Sequence, residues 1–168
     1  MDRTRAAVFA AVLVACIGCD HASKLAATAL LAPAETISFA SGALRFELAY
    51  NEGAFLGLGS GLPPALRMLV LGALVPLALC VFVVRLLRTG SPAPAELVAL
   101  GLVAGGGLGN WLDRIASGGL VTDFVSVGYG PLRTGIFNFA DVALIGGVLL
   151  LLLLTLSTSA EELPPREL

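Results

Sequence analysis

Charged residues are scarce in this chain of 168 residues, and the scarcity excludes several classes of protein. Asp, Glu, Lys and Arg together make up 13% of the sequence, close to half of the ~25% that soluble domains carry. So few charges cannot cover a water-facing surface, which excludes a soluble globular enzyme and a disordered tail. The net charge of −2 lacks the basic surplus that nucleic-acid binding requires, so we expect no nucleic-acid partner.

The chain has too few cysteines and histidines for a disulfide framework or for a metal centre with several His ligands. The three cysteines, Cys16, Cys19 and Cys80, lie in apolar runs, and an odd number in such positions is not typical of a disulfide framework or a metal centre. His21 is the only histidine, which excludes a site with several His ligands. We therefore expect no metal and no cofactor.

Apolar residues make up 57% of the chain, with a mean hydropathy of +0.93, and they are concentrated in four runs. A helix of about 20 apolar residues crosses a bilayer core. The runs predict an all-α polytopic membrane protein in which residues 1–168 form a single membrane-embedded domain. Four transmembrane helices are predicted over about 6–31, 65–84, 95–112 and 136–156.

Small residues, a proline and an aromatic residue predict details of these helices. The third run contains a GxxxGxxxG pattern at Gly101, Gly105 and Gly109, which is typical of membrane helices that pack closely. Pro76 is expected to kink the second helix. Trp111 is expected at the membrane interface, where aromatic residues are enriched.

Basic residues predict the orientation in the membrane. With the N-terminus inside, the inner and outer segments carry five Lys or Arg residues each. The inner segments are much shorter, however, and Arg3 and Arg5 precede the first helix, which usually dominates the orientation. We therefore expect both termini to be cytoplasmic.

The N-terminus has a second interpretation. Arg3 and Arg5 followed by an apolar stretch and the sequence LVAC also fit a bacterial lipoprotein signal, in which Cys16 would be lipidated. A lipoprotein body is normally soluble, whereas three more apolar runs follow here. A first transmembrane helix that contains a cysteine is therefore the favoured interpretation.

The two outer loops contain short strand patterns. Apolar and other residues alternate over 46–50, and Val121, Asp123, Val125 and Val127 would share one face of a second strand. The stretch AFLGLGSGLPP at 54–64 is apolar and rich in turn residues, so it is expected to lie on the membrane surface.

Polar side chains gather at the outer ends of the predicted helices and in the outer loops, and none gather at the inner ends. Such residues are costly near lipid and usually have a partner or a function. Their spacing places Asn110 with Asp113, and Asn138 with Asp141, on shared helix faces. The members of the set are Asp20, Asn51, Asn110, Asp113, Arg114, Asp123, Asn138 and Asp141.

Structural explanations compete with functional ones for several of these residues. Asp113 with Arg114 would form an ion pair at a helix end or position substrate. Asp20 would pair with Lys24 one turn later, or take part in a site. From the sequence alone, Asp123 is interpreted as a solvated loop carboxylate. Asp141, inside an apolar helix, is better explained by a function.

The available chemistry is that of carboxylates. The sequence has no Cys–His pair and no plausible Ser–His–Asp triad. Two carboxylates in one site repel, so one keeps a proton while the other stays ionised. The ionised group can deprotonate a water, and the protonated group can hydrogen-bond a carbonyl and later protonate an amine. That combination predicts aspartic-type peptide hydrolysis.

Five motifs in order resemble those of the bacterial lipoprotein signal peptidases, also called signal peptidase II. They are DHASK at 20–24, NEGAF at 51–55, GGLGNWLDR at 106–114, VTDF at 121–124 and FNFAD at 137–141. The first motif usually has Gln where His21 stands here. The resemblance implies that Asp123 and Asp141 are the catalytic pair. It implies a substrate-binding or site-supporting role for Asp20, Lys24, Asn51, Gly53, Asn110, Asp113, Arg114, Asn138 and Ala140.

The resemblance also implies a function and a location. The family's enzymes cut the signal peptide from diacylglyceryl-modified prolipoproteins, before the lipidated Cys, in the bacterial cytoplasmic membrane. From the family we expect an active site at the extracytoplasmic face, a small extracytoplasmic β-cradle and a short surface helix. We also expect contact with membrane lipids, a monomeric state and inhibition by globomycin-type antibiotics. The competing hypotheses are a small transporter or channel subunit, which would not cleave peptides, and an assembly factor in which Asp123 would be dispensable.

Overall fold

The computed structural model describes residues 2–33, 35–54, 57–89 and 92–161. Within these ranges, four helices are long and apolar enough to cross a membrane, at Arg3–Leu30, Pro64–Arg88, Pro94–Ala116 and Phe139–Ser157. Each overlaps one of the four predicted runs, with ends that differ by up to four residues. The elements are α1 (Arg3–Leu30), β1 (Thr36–Phe39), β2 (Leu44–Asn51), α2 (Pro64–Arg67), a π-helical segment (Met68–Leu74), α3 (Val75–Thr89), α4 (Pro94–Ala116), β3 (Val121–Tyr129), β4 (Leu132–Arg133) and α5 (Phe139–Glu161).

Glycines bring α4 into close contact with α1. A Cβ atom built on Gly101 would lie 2.9 Å from Val12 Cβ, and one on Gly105 would lie 2.5 Å from Cys16 Cβ. One on Gly109 would lie 2.7 Å from Asp20 Oδ2. Because the contacts advance along both helices together, α1 and α4 run parallel. The predicted packing face is confirmed, and it brings Asp20 and Asn110 to the same end of the bundle.

A second set of glycines joins α4 to α5. A Cβ on Gly106 would collide with the Ala140 carbonyl oxygen, and one on Gly147 would lie 2.7 Å from the Ala99 carbonyl oxygen. Here the order along the two helices is reversed, so α4 and α5 are antiparallel. The start of α5 therefore meets the end of α4, and α4 is the central helix of the bundle.

Pro76 changes the second membrane helix in a way that involves Trp111. Proline has no backbone N–H, so the carbonyl four residues earlier, that of Gly72, loses its regular helical donor. The helix is π-helical over Met68–Leu74, just before this proline, and Trp111 Nε1 donates to the Gly72 oxygen at 2.8 Å. The prediction that Trp111 serves as an interfacial aromatic residue is therefore incomplete, because its N–H joins α4 to this helix.

A four-stranded antiparallel sheet in the order β1-β2-β3-β4 covers one end of the bundle. Both predicted strand patterns lie in its central pair, where Ala49 stands opposite Asp123. Phe124 from β3 packs with Ala27 and Leu31 at the end of α1. This apolar contact fixes the sheet on the bundle and sets the position of β3.

The fourth predicted span began at residue 136, which is three residues too early. Phe137 forms a β-bridge with Val125, and α5 begins only at Phe139. Apolar character alone did not distinguish this bridge from the helix. The surface helix remains an expectation, because residues 55 and 56 lie outside the described residues. Of the residues around them, 52–54 form bends, Gly57 is 3-10 helical and 58–61 form turns.

Gly105→Ala should destabilise the protein by about 1–3 kcal/mol, because the added methyl group would overpack against Cys16 and the Leu13 carbonyl. Thermal unfolding in detergent measures the change. Gly18→Ala in α1 is the matched control, because a Cβ there meets nothing within 4 Å. Equal melting temperatures for Gly105→Ala and the parent protein would contradict the described packing.

Candidate active site

Asp123 is a buried carboxylate on β3 with one hydrogen bond to each oxygen. Its exposed fraction is 2%. Asn51 Nδ2 donates to Oδ2 at 3.0 Å, and Asn138 Nδ2 donates to Oδ1 at 2.7 Å. The interpretation of Asp123 as a solvated loop carboxylate is therefore wrong. The sequence could not show this, because the burial comes from β2 and from the segment before α5.

Asp141 lies in the first turn of α5, where Asn138 caps the helix. The Asn138 side-chain oxygen accepts from Asp141 N at 2.9 Å, and Asn138 N donates back to Asp141 Oδ2 at 3.3 Å. Asn110 Nδ2 donates to Asp141 Oδ1 at 2.8 Å. The two residues were predicted to share a helix face. They do meet, but as a reciprocal cap in which Asn138 precedes the helix.

Asp123 and Asp141 line the same cavity of about 340 Å³. Burial and the neighbouring charge of Asp141 raise the pKa of Asp123 to about 6, although the N–H groups of Asn51 and Asn138 favour its ionised form. The two carboxyl groups therefore interact electrostatically and share Asn138 as a hydrogen-bond partner.

Three asparagine amides are oriented by groups that can only donate. Asn51 Oδ1 accepts from Gly53 N at 2.8 Å, and Asn138 Oδ1 accepts from Asp141 N. Asn110 Oδ1 accepts from Lys24 Nζ at 3.1 Å. Each amide must therefore turn its NH₂ group away from that donor. The three NH₂ groups consequently point at the oxygens of Asp123 and Asp141.

A buried ion cluster lies beside this pair. Lys24 Nζ is 2.7 Å from Asp20 Oδ2 and 3.0 Å from Asp113 Oδ2. Asp20 Oδ1 also accepts from Ala140 N at 2.9 Å, next to Asp141. The expected pair of Asp20 and Lys24 is present, and Asp113 contacts Lys24 on another helix. The sequence could reveal only partners that are close along the chain.

Arg114 connects α4 to the loop after β2. Its Nη2 atom donates to the Gly53 carbonyl at 2.6 Å, and its Nη1 atom donates to the Asn110 carbonyl at 3.2 Å. Among the described residues no ion pair joins it to Asp113, so that part of the sequence interpretation is wrong. Gly53 is closely surrounded, because a Cβ there would lie 2.6 Å from the Gly57 carbonyl carbon.

Two residues near the site were missed by the sequence analysis. Arg133 on β4 donates through Nη2 to the Gly42 carbonyl and through Nη1 to the Ser126 carbonyl. Ser126 is completely buried, and its hydroxyl donates to Glu47 at 3.0 Å. These bonds join the turn before β2 to β3 and β4. Arg133 belongs to none of the five motifs, so the sequence does not mark it.

The fold and site define a polytopic membrane protein with a buried carboxylate pair at one end of its helical bundle. Within the described residues, no group of three or more His, Cys, Asp or Glu side chains is arranged to hold a metal ion. The geometry is compatible with acid–base chemistry by the two carboxylates.

Comparison with known proteins identifies the family. The model of the family described as signal peptidase (SPase) II matches residues 12–157. A lipoprotein signal peptidase of Syntrophomonas wolfei is 36% identical over 144 residues, which cover 85% of this chain and 89% of that relative. One from Bifidobacterium longum subsp. infantis is 39% identical over 158 residues, covering 90% and 80%. The chain belongs to the signal peptidase II family of aspartic proteases, which remove signal peptides from prolipoproteins.

A solved structure supports the fold independently. A bacterial membrane enzyme determined by the in meso method at 2.3 Å resolution superposes with a TM-score of 0.81. It is 22% identical in sequence, and the match covers 95% of this chain and 93% of that one. The predicted fold class, four apolar helices with a small antiparallel sheet, is confirmed.

Gly53→Ala should lower kcat/KM for precursor cleavage by at least about tenfold, because small displacements at a catalytic site are costly. The added Cβ would displace the loop that holds the Asn51 amide and accepts from Arg114. Gly61→Ala is the matched control in the same loop, because a Cβ there meets nothing within 4 Å. Equal activity of the two variants would show that the Gly53 turn does not support the site.

Proposed function

We propose that this chain cleaves diacylglyceryl-modified prolipoproteins before the lipidated Cys, with Asp123 and Asp141 as the catalytic pair. The observation that carries the proposal is that both carboxylates line one cavity and are joined through Asn138. Family membership supports the substrate class. Single-domain organisation over residues 1–168 is part of the same proposal.

The surroundings of the pair support an assignment of acid and base. Asp141 lies at the N-terminus of α5, where the helix dipole favours a negative charge, and it accepts from Asn110 and from the backbone N–H of Asn138. Asp123 lies on a strand and has a raised pKa. In the proposed active form, Asp141 is therefore ionised and Asp123 carries the proton that the pair shares.

The reaction then proceeds in two steps, and each step includes two proton transfers. Asp141 takes a proton from a water molecule, whose oxygen bonds to the scissile carbonyl carbon, while Asp123 gives its proton to the carbonyl oxygen. In the second step, the C–N bond breaks. Asp141 returns a proton to the departing amine, and one hydroxyl of the intermediate returns a proton to Asp123. Both carboxyl groups end in their starting states.

Two cavities that both have Asp141 in their lining fit a substrate with two apolar parts. The 340 Å³ cavity is lined largely by apolar residues of the second helix and α5, including Leu71, Leu79 and Leu144. A second cavity of about 540 Å³ is lined by Phe137 and by further residues of α5, including Leu149. Asn51, Asp141 and Ile145 line both. A precursor has an apolar segment and acyl chains on opposite sides of its scissile bond.

The proposed orientation places this site at the extracytoplasmic face and both termini in the cytoplasm. The polar ends of α1 and α4 and the start of α5 lie together, whereas Arg3 and Arg5 begin α1 at the opposite end. The positive-inside rule supports that direction. Contact with membrane lipids, inhibition by globomycin-type antibiotics and a monomeric state remain predictions from the family resemblance.

Asp123→Asn and Asp141→Asn should each reduce cleavage of a lipidated precursor by about 10³-fold or more, because an amide can neither accept nor release the required proton. The assay uses purified protein in liposomes, with thermal unfolding as a check of the fold. Asp2→Asn, which changes an exposed helix cap far from the site, should retain activity. Substantial cleavage by either of the first two variants would refute the assigned pair.

The pH profile should report the proton on Asp123. Because the pair needs that proton, kcat/KM should fall as pH rises through about 6 in the free enzyme. Asn51→Ala removes an N–H donor that stabilises ionised Asp123, so this descending limb should move to higher pH. Glu52→Gln, which changes an exposed ion pair with Arg67, is the control and should not move it. An unmoved or lowered limb in Asn51→Ala would contradict the assignment.

A further inference from the structure

Lys24 is a buried cation whose ammonium group contacts three neighbouring side chains, two through hydrogen bonds and one as an ion pair. Its side chain is 5% exposed, and Nζ donates to Asp20 Oδ2 at 2.7 Å and to Asn110 Oδ1 at 3.1 Å, with Asp113 Oδ2 at 3.0 Å. An ammonium has three donors and no acceptor, and each of these three partners presents an oxygen to it. Lys24 does not line either cavity beside Asp141, so it has no direct contact with the proposed site of reaction.

The position of Lys24 affects the orientation of the Asn110 side-chain amide. Its Oδ1 atom accepts from Lys24 and also from Asn138 Nδ2 at 3.0 Å, which leaves its NH₂ group to donate to Asp141 Oδ1 at 2.8 Å. If the amide rotated by half a turn, two donors would oppose the NH₂ group, and an oxygen would face the Asp141 carboxylate. Lys24 is therefore the cation that, together with the Asn138 NH₂ group, favours this orientation of the Asn110 amide over the rotated one.

We propose that Lys24 is a positioning residue for Asp141, and that it acts by fixing the orientation of the Asn110 amide. With the amide fixed, Asp141 always faces an N–H donor and remains in the ionised form that accepts a proton from water. This inference rests on the proposed catalytic pair. It adds a role for a side chain that lies outside both cavities.

The through-space effect of other charges on Asp141 must be distinguished from the effect of the Asn110 hydrogen bond. Removing Lys24 alone leaves Asp20 and Asp113 unneutralised, and their charges would act on Asp141 through space. Replacing Lys24 and Asp20 together removes one charge of each sign and keeps the total. The charged groups that face Asp141 from the elements around it are Asp20 and Lys24 from α1, Asp113 and Arg114 from α4, Asp123 from β3 and Arg133 from β4.

The test measures kcat against pH for Lys24→Met and for the charge-matched variant Asp20→Asn/Lys24→Met. In both, the acid limb of the kcat profile should move to higher pH by about one unit, as expected for a weakened hydrogen bond to a carboxylate. The maximal kcat should fall on the order of tenfold or more, with KM nearly unchanged. Ser23→Ala, on the same turn of α1, is the control and should leave the acid limb in place.

Asn110→Ala provides the second arm, because it removes the intermediate amide and leaves the ion cluster paired. It should move the acid limb as Lys24→Met does, and combining the two changes should produce no further movement. If the Lys24 variants do not fold, Asn110→Ala decides alone, since an unmoved acid limb would overturn the proposal.

Two further results would also overturn the proposal. One is a lower rate with an unmoved acid limb in the Lys24 variants, which is the result expected of a purely structural role. The other is a moved limb in Lys24→Met that returns to its original place in the charge-matched variant, which would identify a through-space charge effect. Loss of activity in Asp123→Asn and Asp141→Asn is independent of both results, so failure here would leave the proposed pair standing.

Discussion

Buried charges need partners, and this constraint organises one whole end of the molecule. In an apolar bundle, an unpartnered carboxylate or ammonium is far more costly than one that is paired and hydrogen-bonded. Here Asp20 and Asp113 share Lys24, and each oxygen of Asp123 has an asparagine NH₂ group. The helices, the sheet and the loop after β2 all supply donors to this one region.

Close helix packing is what makes that arrangement possible. The glycines of α4 allow α1 and α5 to approach on two sides, so Lys24 from α1 and Asp141 from α5 reach the same residue, Asn110. A larger side chain at Gly109 would meet the Asp20 carboxylate directly. The spacing of the helices and the hydrogen bonds of the site therefore depend on each other.

Much of the site could be predicted from the sequence, because short stretches of the chain contain the signals that identify its residues. Apolar runs located the helices, and polar residues inside or beside them, such as Asp141, stood out by their cost. The sequence could not predict the burial or the partners of a side chain where these depend on residues that are distant along the chain. The burial of Asp123 depends on β2, the partner of Asp113 is on α1, and Arg133 bonds to a turn far along the chain. Pairs such as Asn110 with Asp141 cannot be read from spacing within one element.

The arrangement of Asp20 and Lys24 one turn apart has a consequence for biogenesis. Both residues enter the membrane with the first helix, before the chain that carries Asn110 and Asp113 has been synthesised. An aspartate and a lysine on one helical face can neutralise each other in the nascent segment, which lowers the cost of delivering them to lipid. The same ammonium keeps its contact with Asp20 and later gains Asn110 and Asp113, so the third membrane helix completes an ion cluster that the first helix began.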